Sequence, residues 1–169
     1  VAEPMARAVI AESERVRGAG HPDTLVTRQH RLNALSMLGK HDGVISESQL
    51  LLAAMEQRLG TSHRFTLALR STRFESFAAL GRYEEAADEA RHVWQGASAQ
   101  AGPESHQALV GQIDYASALC QTGQRRNGAD LASKALRSVR QTFGEGCRHL
   151  RRRDAAAAAE LALTGVPRP

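Results

Sequence analysis

The sequence is poor in the residues that define several common protein classes. Its 169 residues include only two cysteines, Cys120 and Cys147, which is too few for a disulfide framework in a chain of this size. Its apolar runs, such as residues 50–55, are far shorter than the ~20 residues that cross a bilayer. We therefore expect a protein of the reducing cytoplasm with no membrane partner.

Lysine is scarce as well. Of the 22 lysines and arginines, only Lys40 and Lys134 are lysines. Arginine together with abundant alanine is typical of a GC-rich genome rather than of one function. The formal net charge of +4 is mild, so it permits an acidic partner without requiring nucleic acid.

Sequence motifs for catalysis and cofactor binding are missing too. The chain has no phosphate-binding loop, dinucleotide fingerprint or helix-turn-helix signature. Cys147 with His149, and Cys120 with Asp114, lack the spacing and supporting motif of a nucleophile and its base. The sequence therefore predicts a protein that is not an enzyme and uses no cofactor or metal.

The sequence does contain two interleaved sets of glycines at one period. The spacing within each set is 42 residues, for example 60 − 18 and 81 − 39. The first set is Gly18, Gly60, Gly102 and Gly144, and the second is Gly39, Gly81, Gly123 and Gly165. A fixed period of this length indicates one supersecondary unit repeated along the chain. Because glycine easily adopts the left-handed conformation that follows a helix, the second set predicts helix ends. We expect turns between helices at both sets.

Apolar residues at helical spacing precede each glycine of the second set. They follow steps of seven and three residues, which indicate one buried stripe per helix. The stripes are Leu25, Leu32, Leu35 and Leu38; Leu67, Phe74, Phe77 and Leu80; and Leu109, Ala116 and Leu119.

A second helix is predicted after each of these glycines, over about 44–59, 82–95 and 127–143. In the middle one, Ala86, Ala90 and Val93 form a narrow stripe against which a neighbouring helix can pack closely. Segments 2–16 and 150–164 provide half a unit at each end.

We therefore predict an all-α fold of about eight antiparallel helices in one domain, residues 1–169. Three complete repeats are flanked by a half repeat at each end. The repeat frames are about 1–17, 18–59, 60–101, 102–143 and 144–169. Because the chain begins within a unit, we expect it to be a fragment of a longer protein.

Two segments resemble a known repeat family. Residues 80–86, LGRYEEA, resemble the inter-helix turn of a tetratricopeptide repeat. Residues 20–28, GHPDTLVTR, resemble the start of the 42-residue repeats of the kinesin light chain type. The resemblance implies a right-handed superhelix, or solenoid, that binds a protein or peptide segment on the concave face of its first helices. It also implies a bacterial regulatory or signal-transduction protein. The alternative is a sensor of a small peptide or anionic metabolite that controls an attached output domain.

The chain has arginine at two positions where the family usually has leucine. Arg31 and Arg73 each follow another arginine by three residues, Arg28 and Arg70, so the members of each pair are neighbours on a helix surface. Stacked repeats would form a four-arginine strip suited to carboxylates or phosphates. Alternatively, the arginines pair with acids such as Glu47, Glu75 or Glu89 and serve the fold.

Other candidate residues lie between the buried stripes of the first helices. With the arginines they form the predicted partner-binding set: Arg28, Gln29, His30, Arg31, Asn33, Arg70, Arg73, Glu75, Gln112 and Asp114. An acidic partner segment fits this set best.

His21, His63 and His106 recur near the helix starts. Zinc binds nitrogen at about 2 Å, whereas neighbouring helices lie about 8–10 Å apart. A structural role in the loops is therefore favoured over a metal site.

The two ends of the chain suggest further interactions. The basic run 148–153 has no aromatic residue for base stacking, so a solvated helix cap is favoured over nucleic acid binding. At the other end, Met5, Val9 and Ile10 form an apolar stripe that the truncated first repeat leaves partly uncovered. Such stripes recruit partners, which predicts a weak homodimer through the N-terminal helix.

Overall fold

The computed structural model describes residues 2–143, apart from the side chain of Ala2. These residues form seven helices and no strand, which confirms the all-α class. The helices are α1 (Ala2–Arg17), α2 (Pro22–Met37), α3 (His41–Leu59), α4 (Arg64–Ala79), α5 (Tyr83–Ala101), α6 (His106–Gln121) and α7 (Arg125–Phe143). The predicted eighth helix, the glycines at 144 and 165, Cys147 with His149, and the basic run 148–153 lie outside the described residues.

The helices recur with the period of the glycines. α2, α4 and α6 start 42 residues apart (64 − 22 and 106 − 64) and are 16 residues long. α3, α5 and α7 also start 42 residues apart (83 − 41 and 125 − 83) and are 19 residues long. The predicted end of the helix that begins near residue 82 is wrong. This helix, α5, does not stop near residue 95 but continues to Ala101 and is capped by Gly102.

The predicted helix ends at the glycines are confirmed. Gly18, Gly39, Gly60, Gly81, Gly102 and Gly123 all have a positive φ, between 72° and 99°.

At the end of α2, the amide of Gly39 donates to the carbonyl of Ser36 at 2.9 Å, and that of Lys40 donates to Leu35 at 3.0 Å. This pair of bonds satisfies carbonyls that the helix leaves free at its C-terminus. Leu38, predicted as the last core residue of α2, instead caps the helix and is 67% exposed.

The contacts divide the chain into two compact units, Val1–Leu80 and Gly81–Pro169. In the first unit, α1 packs on α2, and α2, α3 and α4 pack on one another. Phe77 is buried as predicted, whereas Phe74 is half-buried because the neighbouring Arg73 takes the buried position on α4. The core cluster of this unit is Leu25, Leu32, Leu35, Val44, Leu51, Met55 and Leu69.

In the second unit, α6 packs against both α5 and α7. The predicted small-residue stripe of α5 is buried, with Ala86, Ala90 and Val93 at most 2% exposed. The helices approach so closely that a Cβ on Gly111 would lie 2.7 Å from the backbone nitrogen of Trp94. The core cluster is Leu109, Ile113, Ala116, Ala132, Ala135, Leu136 and Val139.

Within residues 2–143, no helix combines the length and the apolar character that a membrane span requires.

Candidate functional site

A groove of about 520 Å³ is formed by α1, α2 and α3 in the first unit. Half of its lining residues are apolar and half are charged, with three arginines against two glutamates (3 − 2 = +1). We call it the α1–α3 groove. Its lining residues are Arg7, Ile10, Ala11, Glu14, Arg28, Arg31, Leu32, Glu47, Leu50 and Leu51.

The apolar part of the groove combines buried and exposed side chains. Leu32 and Leu51 belong to the core of the unit and are 2% and 5% exposed. Ile10 is half-buried, and Leu50 is 83% exposed. An exposed leucine beside a core surface can be covered by a partner at no cost to the fold.

Arg28 is a residue of α2 and faces α1 across the groove. Its guanidinium donates to Oε1 of Glu14 at 2.5 Å, and the two side chains are 40% and 33% exposed. This pair joins α2 to α1. Because both groups remain accessible to water, the pair contributes little to stability.

Arg31 is held more tightly and is more deeply buried, at 10% side-chain exposure. One terminal nitrogen donates to Oε2 of Glu47 on α3 at 2.5 Å, and the other donates to Oε1 of Glu3 on α1 at 3.3 Å. The carboxylates, with Glu47 first, raise the pKa of Arg31 above its usual value. Its Nε is buried and has no hydrogen-bond partner among the described residues. A buried donor in that state costs about 1–3 kcal/mol.

Glu3 is the meeting point of three cations at the start of α1. It accepts from Lys40 at 2.9 Å, from Arg7 at 3.0 Å and from Arg31 at 3.3 Å. The hydrogen bonds from Lys40 and then Arg7 are the main causes that lower its pKa to about 2. Glu3 therefore stays ionised over the ordinary pH range.

The pairing of Arg28 with Glu14 is repeated once along the chain. Arg70 donates to Glu56, and both residues lie one period further on (70 − 28 = 42 and 56 − 14 = 42). In the next copy the equivalent positions are neutral, since Gln112 and Ser98 stand there.

Arg73 is buried, donates to the hydroxyl of Ser48 at 2.6 Å and lies 5.2 Å from the ring centre of Phe77. The four arginines of the predicted strip thus all have partners within the first unit. Arg31 pairs with Glu47, as the alternative interpretation predicts.

The structure does not bring the other predicted residues into the α1–α3 groove. His30 and Asn33 are exposed on α2 but do not line the groove, and the ring of His30 lies 5.9 Å from that of Phe65 on α4. Glu75 is exposed on α4. Arg70 on α4 is half-buried against Glu56. The other members are at most 7% exposed: Gln29 and Arg73 in the first unit, and Gln112 and Asp114 in the second.

Two of the three recurring histidines, His21 and His63, cap the helices that follow them. Nδ1 of His21 accepts from the amide of Asp23 at 3.2 Å, and Nδ1 of His63 accepts from Phe65 at 3.4 Å. In the third copy Ser105 takes this position and accepts from Ala108 at 3.4 Å. Short polar side chains commonly cap helices in this way. In the described part of the chain, no three potential ligands come together as a metal site would need.

The apolar stripe of α1 is open over most of its length. Met5 is 64% and Val9 57% exposed, while Ile10 is half-buried beside the groove. The weak homodimer through this helix remains a prediction.

No protein-family model matches the chain, and no curated protein sequence matches it either.

Proposed function

We propose that the chain is a non-enzymatic interaction module whose first unit binds a protein segment in the α1–α3 groove. The segment carries carboxylates together with apolar side chains. The observation that carries this proposal is the presence of two partly buried arginines, Arg28 and Arg31, beside the exposed Leu50. The repeated helix pairs support a solenoid of the tetratricopeptide type, in a regulatory or scaffold protein.

The apolar part of the groove supplies the driving force for binding. A partner side chain that covers Leu50 and Ile10 removes apolar surface from water, which contributes about 25 cal/mol per Å². The groove has the size of a ligand site, about 520 Å³, and its exposed rim favours a segment over an enclosed small molecule.

The arginines supply the preference for acidic partners. The guanidinium is planar and can hold a carboxylate through two parallel hydrogen bonds. The groove lining has a net charge of +1, so an acidic segment is attracted and a basic one is repelled.

The proposal is tested with a labelled helical peptide made of leucine, glutamate and alanine. The control peptide has glutamine in place of every glutamate. We expect fluorescence anisotropy to detect tighter binding of the acidic peptide, with an affinity that falls as salt rises.

The matching protein variants are two double substitutions that each remove two positive charges. Arg28→Gln with Arg31→Gln should weaken binding of the acidic peptide by about tenfold or more. Arg15→Gln with Arg17→Gln changes exposed arginines of α1 outside the groove and should leave binding nearly unchanged. Equal binding of the two peptides, or equal effects of the two double variants, would contradict the proposal.

A further inference from the structure

We propose that Glu47 is an internal competitor in the α1–α3 groove and occupies the place on Arg31 that a carboxylate of the partner takes on binding. This inference rests on the proposed function and adds a mechanism by which the groove rejects weak ligands. In the free protein, the 2.5 Å bond between Glu47 and Arg31 neutralises the arginine. Binding then exchanges one carboxylate for another.

Glu47 is the carboxylate that can leave Arg31 most easily. Its side chain is 49% exposed, whereas that of Glu3 is 28% exposed. Glu3 is also held by Lys40 and Arg7, so it stays fixed when a ligand binds. Once released, the Glu47 carboxylate can be hydrated at the rim of the groove, and the exchange therefore does not bury an unpaired charge.

The hydrogen bonds of Arg31 are incomplete in the free protein. Its two terminal nitrogens bind carboxylates from two different helices, and its buried Nε binds none among the described residues. A single carboxylate can engage Nε and a terminal nitrogen together in a bidentate pair. The terminal nitrogen on the same edge as Nε is the one that donates to Glu3 at 3.3 Å, so the partner carboxylate turns the guanidinium and replaces that long bond as well. In exchange for the contacts of Arg31 with Glu47 and Glu3, it makes a bidentate pair that includes the buried Nε.

The exchange makes the groove selective for ligands with two features. An isolated anion must compete with the Glu47 carboxylate. Because that carboxylate is tethered beside Arg31, its effective concentration there is high. A segment anchored on Leu50 and Ile10 holds its own carboxylate in place and can compete. Glu47 therefore lowers the affinity for all anions and leaves apolar, acidic segments as the best ligands.

The test compares two substitutions that each remove one negative charge from the first unit. Glu47→Gln removes the competitor and should tighten binding of the leucine–glutamate–alanine peptide by about three- to fivefold. Glu12→Gln alters an exposed glutamate of α1 that pairs with Arg15 outside the groove, and should change the affinity by less than about 1.5-fold. The glutamine control peptide should not gain from Glu47→Gln.

A third variant separates the loss of charge from the loss of the contact. Glu47→Asp keeps the charge but withdraws the carboxylate by one methylene, so it should also tighten binding. Circular dichroism verifies that each variant keeps its helices. If Glu47→Gln loses helicity, Glu47→Asp alone tests the inference. Binding of the acidic peptide to Glu47→Asp that is no tighter than to the wild type would then overturn it.

The possible failures are distinguishable. If the wild-type protein binds the acidic peptide but Glu47→Gln binds it equally or less tightly, the inference is wrong and the proposed function stands. The same holds if Glu12→Gln tightens binding as much as Glu47→Gln does, because net charge is then sufficient. If neither the wild type nor Glu47→Gln prefers the acidic peptide, both proposals are wrong.

Discussion

Arg31 on α2 and Glu47 on α3 share a hydrogen bond of 2.5 Å, while the Nε of the same guanidinium is buried without a partner in the described chain. Buried donors are satisfied in the great majority of native structures. Exceptions are concentrated at sites where a protein gives up local stability for function. The incomplete hydrogen bonding of Arg31 therefore supports a site in the α1–α3 groove, in addition to the position of Arg28 and Arg31 beside the exposed Leu50.

The contribution of the apolar rim is tested by Leu50→Ser. Leu50 is 83% exposed, so the substitution should leave stability within about 0.5 kcal/mol and still weaken binding of the acidic peptide, because the covered apolar area is lost. Leu38→Ser is the matched control, since Leu38 is 67% exposed and does not line the groove. Equal binding losses in the two variants would mean that general hydrophobicity is sufficient.

The helix ends are tested by one pair of glycine substitutions. Gly39 has a φ of 75°, and Gly39→Ala should cost ~1–2 kcal/mol because a Cβ is strained in that conformation. Gly43 lies inside α3 with no heavy atom within 4 Å of an added Cβ, so Gly43→Ala should gain ~0.5–1 kcal/mol. Urea unfolding measures both, and a neutral Gly39→Ala would contradict the role of the turn.

The close helix packing of the second unit is tested by Gly111→Ala. The added Cβ would lie 2.7 Å from the backbone nitrogen and 3.0 Å from the Cα of Trp94. Because backbone atoms cannot turn away, α5 and α6 must separate, at a cost of about 1–3 kcal/mol. Urea unfolding that detects no loss would mean that the two helices are further apart than described.

We expect Glu3 to contribute to the stability of the fold in acid. Its folded-state pKa of about 2 lies below the ordinary value of 4.5, so ionised Glu3 stabilises the folded state above that ordinary value. This stabilisation is lost as the pH falls toward the folded-state pKa. We expect the thermal midpoint of the wild type to fall more steeply on acidification than that of Glu3→Gln. Lys40→Gln should also make the fall of the thermal midpoint less steep, because Lys40 is the main cause of the lowered pKa of Glu3. Parallel profiles for the wild type and Glu3→Gln would contradict this assignment.

The sequence predicts the local features of the fold well. Gly39 and Gly81 indicate helix ends because the left-handed conformation depends on the residue itself. The burial of Ala90 and Val93 follows from helical spacing within one element. The recurrence of histidine predicts the helix caps less well. His63 caps α4, but in the next repeat Ser105 caps α6 and the histidine is the following residue, His106.

The sequence predicts the candidate site only in part. Arg31 stands out because leucine is usual there in the resembling family. Its partners Glu3 and Glu47 lie on two other helices, and no local pattern gives the packing that brings them together. Gln29 was expected at a binding surface but is 3% exposed, because it lies four residues after Leu25 and three before Leu32, which puts it on the buried stripe of α2.

The central claim, that an acidic and apolar segment binds in the α1–α3 groove, is tested most directly by NMR. Methyl and guanidinium spectra are recorded while the leucine–glutamate–alanine peptide is added. We predict that the methyl signals of Ile10, Leu50 and Leu51 and the Nε signal of Arg31 shift together and saturate at the same peptide concentration. Shifts confined to residues around His30, Asn33 and Glu75, or no saturable shift at Arg31, would contradict the account.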